Sequence, residues 1–325
     1  MQTRRLGNSD MEITRIGFGA WAIGGGEYAF GWGAQDDQES IDAIVRAVDR
    51  GVNWIDTAPV YGLGRSEEVV GRAVKQLGPS RRPFVFTKCS LVWDERTRAV
   101  TQSHEAASIR LEVEASLKRL AIDVLDLVQI HWPKVQWISG PGTIEEAWTA
   151  LADLRQQGKI RYIGVSNFTV EDLEKVSAVA PVTSLQPQYS LLRRGIEAEV
   201  LPYCQAHNIG VIVYSPMQSG LLTGSMTRER VAKMPADDFR RGSAEFQEPR
   251  LSKNLAFANV LGDVGARHGR PAGQVAVAWA LRHPAVTAAI VGFRRPAQVD
   301  GLVGAADLAL TDQEAQEVEA AISTA

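Results

Sequence analysis

An acid, a phenol, an amine and an imidazole fall at or just past the ends of short apolar runs: Asp56 with Tyr61, then Lys88, then His131. These four residue types form a coherent proton-handling set. A phenol with an ordinary pKa of about 10 is a poor donor at neutral pH. A nearby ammonium favours its phenolate and lowers that pKa. A carboxylate pairs with the ammonium and fixes its position. An imidazole can hydrogen-bond the oxygen that receives the proton. Such a set protonates a carbonyl oxygen while hydride arrives at the carbon, and the hydride must come from a cofactor. Later runs also end in polar residues: Ser166 with Asn167, Gln186, and Tyr214 with Ser215.

The set works only if the chain gathers strand ends in one place, and the sequence alternates as that requires. Strands are expected at Ile16–Gly19, 53–56, 84–88, 124–131, 159–166, 183–186, 209–214 and 286–291. Helical periods follow most of them, over 37–50, 66–77, 103–120, 197–207 and 296–304. Thr143 with Glu146, and Thr169 with Asp172, have the spacing of capping boxes, and Gly158 closes the first of those helices. Repeated strand–helix steps imply parallel strands with right-handed crossovers. Eight of them predict an α/β fold, a (β/α)8 TIM barrel spanning residues 1–325 as one domain, with the active site at the C-terminal strand ends. An open doubly wound sheet gives the same periodicity. Arg4 to Arg15, around Gly7-Asn8-Ser9-Asp10, reads as an N-terminal hairpin. Gln218–Lys253 reads as a long loop after strand seven, of a length associated with function or mobility.

Composition bounds the rest. The 325 residues are 45% hydrophobic and 22% charged with a formal charge of −3, which argues against a nucleic-acid footprint. The basic doublets Arg193-Arg194, Arg240-Arg241 and Arg294-Arg295 are scattered and read as solvated surface. There is no apolar run of roughly 18 residues, so no membrane partner is expected. The first ten residues hold no apolar signal core, which makes cytoplasm the default compartment. The two cysteines, Cys89 and Cys204, have no CxxC neighbour, and Cys89 reads as a packed bystander. None of the five histidines forms HxH or HxxxH, so no metal site is expected and a metal-dependent barrel hydrolase is disfavoured. Gly17-Phe-Gly-Ala-Trp-Ala22 fits a dinucleotide fingerprint, but that fingerprint needs a helix directly after it. A Gly-rich aromatic stretch, Gly24 to Gly33, follows instead and suits a loop over a pocket. Trp21, Phe30, Trp32, Trp93, Trp132 and Trp137 are candidates to line it.

Several segments resemble the aldo-keto reductases. Gly51-Val-Asn-Trp-Ile-Asp-Thr-Ala-Pro-Val-Tyr-Gly62 resembles the signature that carries that family's aspartate and tyrosine. Phe86-Thr-Lys88 resembles its lysine strand, and Asp126-Leu-Val-Gln-Ile-His-Trp-Pro133 its histidine strand. Ile163-Gly-Val-Ser-Asn-Phe168, Leu185-Gln-Pro-Gln-Tyr-Ser190 and Tyr214-Ser-Pro216 are similar to its nicotinamide-holding segments. The likeness runs from about Arg4 to Ala306, and its loops resemble a bacterial branch that includes inositol-cluster and general-stress reductases.

The resemblance implies an enzyme that reduces aldehydes, ketones or sugar-like carbonyls to alcohols, and the reverse. It makes Tyr61 the general acid and base, with Lys88 depressing its pKa, Asp56 pairing Lys88 and His131 orienting the substrate. It implies that Ser166, Asn167 and Gln186 hold the nicotinamide and that Tyr214 stacks on it. Ser215, Met217, Gly220 and Leu222 would follow the pyrophosphate through backbone groups. Gly292, Arg294 and Gln298 would lie at the adenosine end, with Arg294 on a 2′-phosphate. Trp21 and Trp132 fall at substrate-pocket positions. NADPH is the implied cofactor, with NADH possible. Gln298 and Leu302 depart from the arginine and asparagine of many members, which bears on that preference. The expected partner is a small carbonyl compound, and oligomeric state is not legible. The alternative implied by the family is a cofactor-sensing binding protein with little turnover, similar to its channel-associated subunits.

Overall fold

The computed structural model describes residues 1–26, 28–136 and 138–324. Trp137, one of the expected pocket residues, therefore lies outside the described residues.

Eight parallel strands close into a barrel in chain order. They are Ile16–Gly19, Trp54–Asp56, Phe84–Cys89, Leu125–Ile130, Ile160–Ser166, Ser184–Gln186, Gly210–Val213 and Val286–Gly292. The fourth is buried at every position, as a parallel strand covered on both faces must be. Helices flank the strands with one apolar stripe each. In Asp37–Asp49 the stripe is Ile41, Ile44 and Ala47; in Arg65–Leu77 it is Val69, Val70, Ala73, Val74 and Leu77. These stripes and the outer strand faces make the main core.

A second core fills the bottom of the barrel, where Trp54, Phe86, Leu127, Ile212 and Ala288 meet Leu6, Met11 and Ile13. The last three come from the expected N-terminal hairpin, Thr3–Arg5 paired antiparallel with Glu12–Thr14. Its turn bears on the barrel wall at Gly7, where φ is +51° and a Cβ would lie 2.3 Å from the Thr183 carbonyl oxygen. Arg15 closes the seam: its Nη1 donates to the Val286 and Thr287 carbonyls at 2.7 and 2.6 Å, and its Nη2 to that of Leu281.

The structure revises several boundaries. The third helix starts at Ala106 rather than Ser103. Thr143 caps its helix through the Glu146 N–H, but the Glu146 carboxylate turns to the Ala106 N–H at 2.8 Å, so that box is half made. The box of Thr169 and Asp172 is complete. Gln218–Lys253 is no plain loop. It holds short helical turns at Gln218–Thr223, Arg228–Ala232, Phe239–Gly242 and Ala244–Phe246, and the helix Arg250–Arg267 begins inside it. That helix, Ala272–Arg282 and Asp312–Thr324 are additional to the expected elements. Ala272–Arg282 is apolar nearly all round and buried from Ala272 to Leu281, so it shows no amphipathic period to read. A second hairpin, Leu91–Trp93 with Val100–Gln102, rises beside the barrel mouth.

Candidate active site

Strand geometry brings Asp56, Lys88 and His131 to one end of the barrel. Asp56 is the last residue of the second strand, Lys88 the penultimate residue of the third, and His131 directly follows the fourth. Tyr61 stands on the loop between the second strand and its helix. That loop is tethered on both sides: the Ser66 hydroxyl donates to the Ala20 carbonyl at 2.8 Å, and the Ser66 N–H donates to the Tyr61 carbonyl at 3.1 Å. Gly62, at φ +66°, presses against Gly24, where a Cβ would lie 2.1 Å from the Gly24 oxygen. Only glycine permits that approach, and it seats the Tyr61 loop on the segment after the first strand.

Lys88 is buried and its Nζ donates to Asp56 Oδ1 at 2.5 Å and to the Thr57 carbonyl at 2.9 Å. The same nitrogen lies 5.1 Å from the Tyr61 ring centroid. The His131 ring meets the Tyr61 ring edge-on at 5.8 Å. Burial, seconded by the charge on Lys88, holds His131 well below its ordinary pKa, so the imidazole is neutral. Burial also lowers Lys88, against the pull of Asp56. Tyr61 lies the other way from the sequence expectation: burial and the Asp56 charge push its phenol well above 10. The main cause is burial, which disfavours the phenolate, with the Asp56 charge acting in the same direction. Tyr61 is thus held as a protonated phenol beside an ammonium that can offset charge when the proton leaves.

The later strand ends converge on the same place. The Ser166 hydroxyl donates to the Gln186 carbonyl at 2.8 Å, and Asn167 Nδ2 donates to Ser166 Oγ at 3.0 Å and to the His131 carbonyl at 3.1 Å. Tyr214 donates its hydroxyl to Asn167 Oδ1 at 2.9 Å. Asn167 holds φ at +63°, a conformation that asparagine tolerates better than most. Gln186 Nε2 donates to Asp56 Oδ2 at 2.8 Å.

All these side chains line one elongated cavity of about 370 Å³, except Lys88, which lies behind it. Near Tyr61 the walls are apolar: Trp21, Tyr28, Val60, Leu91, Trp132 and Val135. Trp21 stacks on Phe239 at 4.9 Å and meets Trp32 edge-on at 5.2 Å. Phe30 and Trp32 also line the cavity, as does the segment from Gly19 to Ala22, so the Gly-rich stretch is a wall of a pocket. Trp93 does not reach it and packs under the Arg119 guanidinium, with 5.7 Å from the guanidinium carbon to the ring centroid. The cavity then runs past Ser215, Met217 and Gly220 to Gly292, Arg294, Gln298 and Leu302.

One sequence expectation at that far end changes, and one residue has a second role. Leu222 is buried in the main core instead of lining the cavity, and the N–H groups of Gly220 and Leu222 both donate to the Met217 carbonyl at 3.1 Å. Arg294 is a strut. Its Nε donates to Gln35 Oε1 at 2.6 Å, its Nη1 to the Trp32 carbonyl at 3.1 Å and its Nη2 to the Ala34 carbonyl. Gln298 Oε1 accepts the Arg294 backbone N–H at 2.7 Å. Three of its five N–H groups hold that loop, which leaves two for a ligand in the cavity that Arg294 lines. Sequence reasoning also missed Gln129, which lies fully buried beside Asp56. The signal was available: Gln129 stands two residues before His131, on the same face of an extended chain.

A closed parallel barrel with a phenol–lysine–carboxylate set at its mouth and a long channel beside it defines a cofactor-dependent oxidoreductase by class. The comparisons agree with that class. The model described as the aldo/keto reductase family matches residues 15–323, and the chain belongs to this family. The aldo-keto reductase YhdN of Bacillus subtilis (strain 168) is 38% identical over 319 residues, covering 98% of this chain and 92% of the relative. A protein named NADH-specific methylglyoxal reductase, from Escherichia coli (strain K12), is 36% identical over 319 residues and 95% of each chain. Among solved structures, the glycerol dehydrogenase AKR11B4 from Gluconobacter oxydans superposes with a TM-score of 0.87 at 39% identity, covering 99% of this chain and 95% of that one. The holo form of AKR11C1 from Bacillus halodurans gives 0.80 at 26% identity, covering 99% and 96%.

Proposed function

We propose that the protein reduces small aldehydes and ketones with NADPH, with Tyr61 as the proton donor. The observation that carries this reading is the Tyr61 phenol beside the Lys88–Asp56 pair, on the wall of a cavity that continues past Ser215 and Gly220 to Arg294 and Gln298. The bound dihydronicotinamide supplies the hydride. Tyr61 gives its proton to the carbonyl oxygen and takes it back in the reverse direction. Lys88 offsets the charge left on the phenolate, and Asp56 fixes Lys88. His131, neutral, holds the carbonyl oxygen by hydrogen bonding. Ser166, Asn167 and Gln186 are the residues to hold the nicotinamide amide, and Tyr214 is the ring to flank it. Ser215, Met217 and Gly220 fit the middle of the cofactor, with Gly292 and Gln298 beyond. The apolar walls from Trp21 to Trp132 favour carbonyls with an alkyl or aryl body.

NADPH is favoured by charge. Apart from Asp56, no carboxylate lines the cavity among the described residues, while Arg230, Arg240 and Arg294 do. A site selecting the bare ribose hydroxyls of NADH commonly offers a carboxylate there. Arg240 is held by Asp238 and Arg294 by its loop, which leaves Arg230, exposed at the rim with its Nη1 resting on Ser225, as the cation freest to turn. The test follows loss of reduced-cofactor absorbance with an aromatic aldehyde, for NADPH and NADH separately, in wild type and Tyr61→Phe. Turnover that survives in Tyr61→Phe removes Tyr61 as the donor. Faster turnover with NADH overturns the cofactor assignment. Tight cofactor binding without turnover in wild type overturns the enzymatic reading.

A further inference from the structure

We propose that Gln129 is a positioning residue that joins Asp56 and Gln186 into one hydrogen-bonded unit, so that cofactor affinity and proton chemistry at Tyr61 are coupled through it. Its side chain is completely buried on the fourth strand and does not line the cavity, so it acts only through its neighbours. Asp56 Oδ1 accepts from Lys88. Asp56 Oδ2 accepts from Gln129 Nε2 at 3.2 Å and from Gln186 Nε2 at 2.8 Å. The Gln186 nitrogen also donates to Gln129 Oε1 at 3.2 Å.

The chemistry of a carboxylate fixes the direction of both amides. An ionised carboxylate only accepts, so each amide must turn its nitrogen toward Asp56. Flipping either one would set oxygen against oxygen. Gln186 then has both amide protons directed inward, one to Asp56 and one to Gln129. Its own Oε1 meets no donor among the described residues, and the residue lines the cavity. Gln186 therefore presents an acceptor to the channel, suited to an N–H of a carboxamide. Gln129 is what makes that presentation unique, because without its Oε1 one Gln186 proton is released and the amide can turn. Gln129 also draws off part of the Asp56 charge that bears on Tyr61.

The inference rests on the reading of Gln186 as a cofactor ligand, and the experiment separates the two. The dissociation constant of NADPH, without substrate, is measured by quenching of tryptophan fluorescence for Gln129→Met, Gln186→Met and the double variant. Each single substitution is expected to weaken binding about tenfold, the loss of one hydrogen bond to a polar partner. The double variant is expected to bind as Gln186→Met does, because both changes act on one interaction. Multiplicative losses overturn the coupling. A weakened Gln186→Met beside an unchanged Gln129→Met overturns the coupling alone, whereas an unchanged Gln186→Met overturns the reading of Gln186 itself.

The second readout is the alkaline limb of the rate profile. Less shared charge on Asp56 should move this limb upward in Gln129→Met, and an unmoved limb overturns the proton half of the proposal. If Gln129→Met fails to fold, Gln129→Glu has the same shape. Protonated, it can both donate to Asp56 and accept from Gln186, so its NADPH affinity should be near wild type in acid and fall as pH rises. The titratable groups facing that position are Asp56 and Lys88, with Tyr61 and His131 beyond; Gly164 is its neighbour on the fifth strand. An affinity that tracks wild type at every pH overturns the proposal.

Discussion

Tyr61 is held as an acid by its surroundings, and that sets the pH behaviour. Its phenol lies well above the ordinary value, so it keeps its proton throughout the neutral range. Reduction, which needs the proton, should be flat from roughly pH 6 to pH 9 and fall only beyond. Oxidation, which needs the phenolate, should climb steadily across the same range. His131 stays neutral well below its ordinary pKa and so adds no limb near neutrality. Initial rates in both directions against pH check this, and a reduction rate that halves between pH 7 and 8 contradicts it. Tyr61→Phe should lower kcat by at least about 10³ while cofactor affinity holds within about twofold, since proton transfer is worth that much. Lys88→Met should remove turnover and shift the limb of whatever remains. At this scale the sequence was legible where residue type and strand end coincide, as for Asp56, Lys88 and His131. Gln129 was legible by the same alternation, two residues before His131, but it lies inside the strand rather than at its end. The engagement of Arg294 was illegible for another reason: its acceptors lie about 260 positions earlier in a loop whose path no local pattern specifies.

Two connecting segments hold the chemistry in place. Gly62 lets the Tyr61 loop touch Gly24, and an alanine there meets the Gly24 oxygen and strains a positive φ. Gly62→Ala should lower kcat at least about tenfold, as a misplaced catalytic group does, with little change in KM for the cofactor. Steady-state kinetics decides this, and an unchanged kcat would mean that the contact does not set Tyr61. Arg294 ties the segment from Trp32 to Gln35 against the end of the eighth strand. Arg294→Ala should therefore weaken NADPH and NADH by similar factors, through the loop. A loss confined to NADPH in binding titrations would show that the guanidinium turns to the 2′-phosphate after all. Strands and the early helices could be read from periodicity because each has a single apolar face or run. The helix Ala272–Arg282 could not, because it is buried nearly all round.

The whole molecule is a barrel open at one end. The N-terminal hairpin and Arg15 seal the other, with three backbone carbonyls gathered on one guanidinium. Arg15→Met removes this donor from all three carbonyls and leaves Val286 with Arg4 alone, which should cost roughly 3 kcal/mol of stability. Urea unfolding measures it, and kcat of the folded fraction should not move, because the seal and the site lie at opposite ends. That separation also bears on handling the protein outside the cell. The strand Thr3–Arg5 is exposed and lies on the sealed face, so a linker fixed there would anchor the molecule to a bead or electrode with its mouth pointing into the liquid. Orientation on a support, usually left to chance, is here a property of the polypeptide.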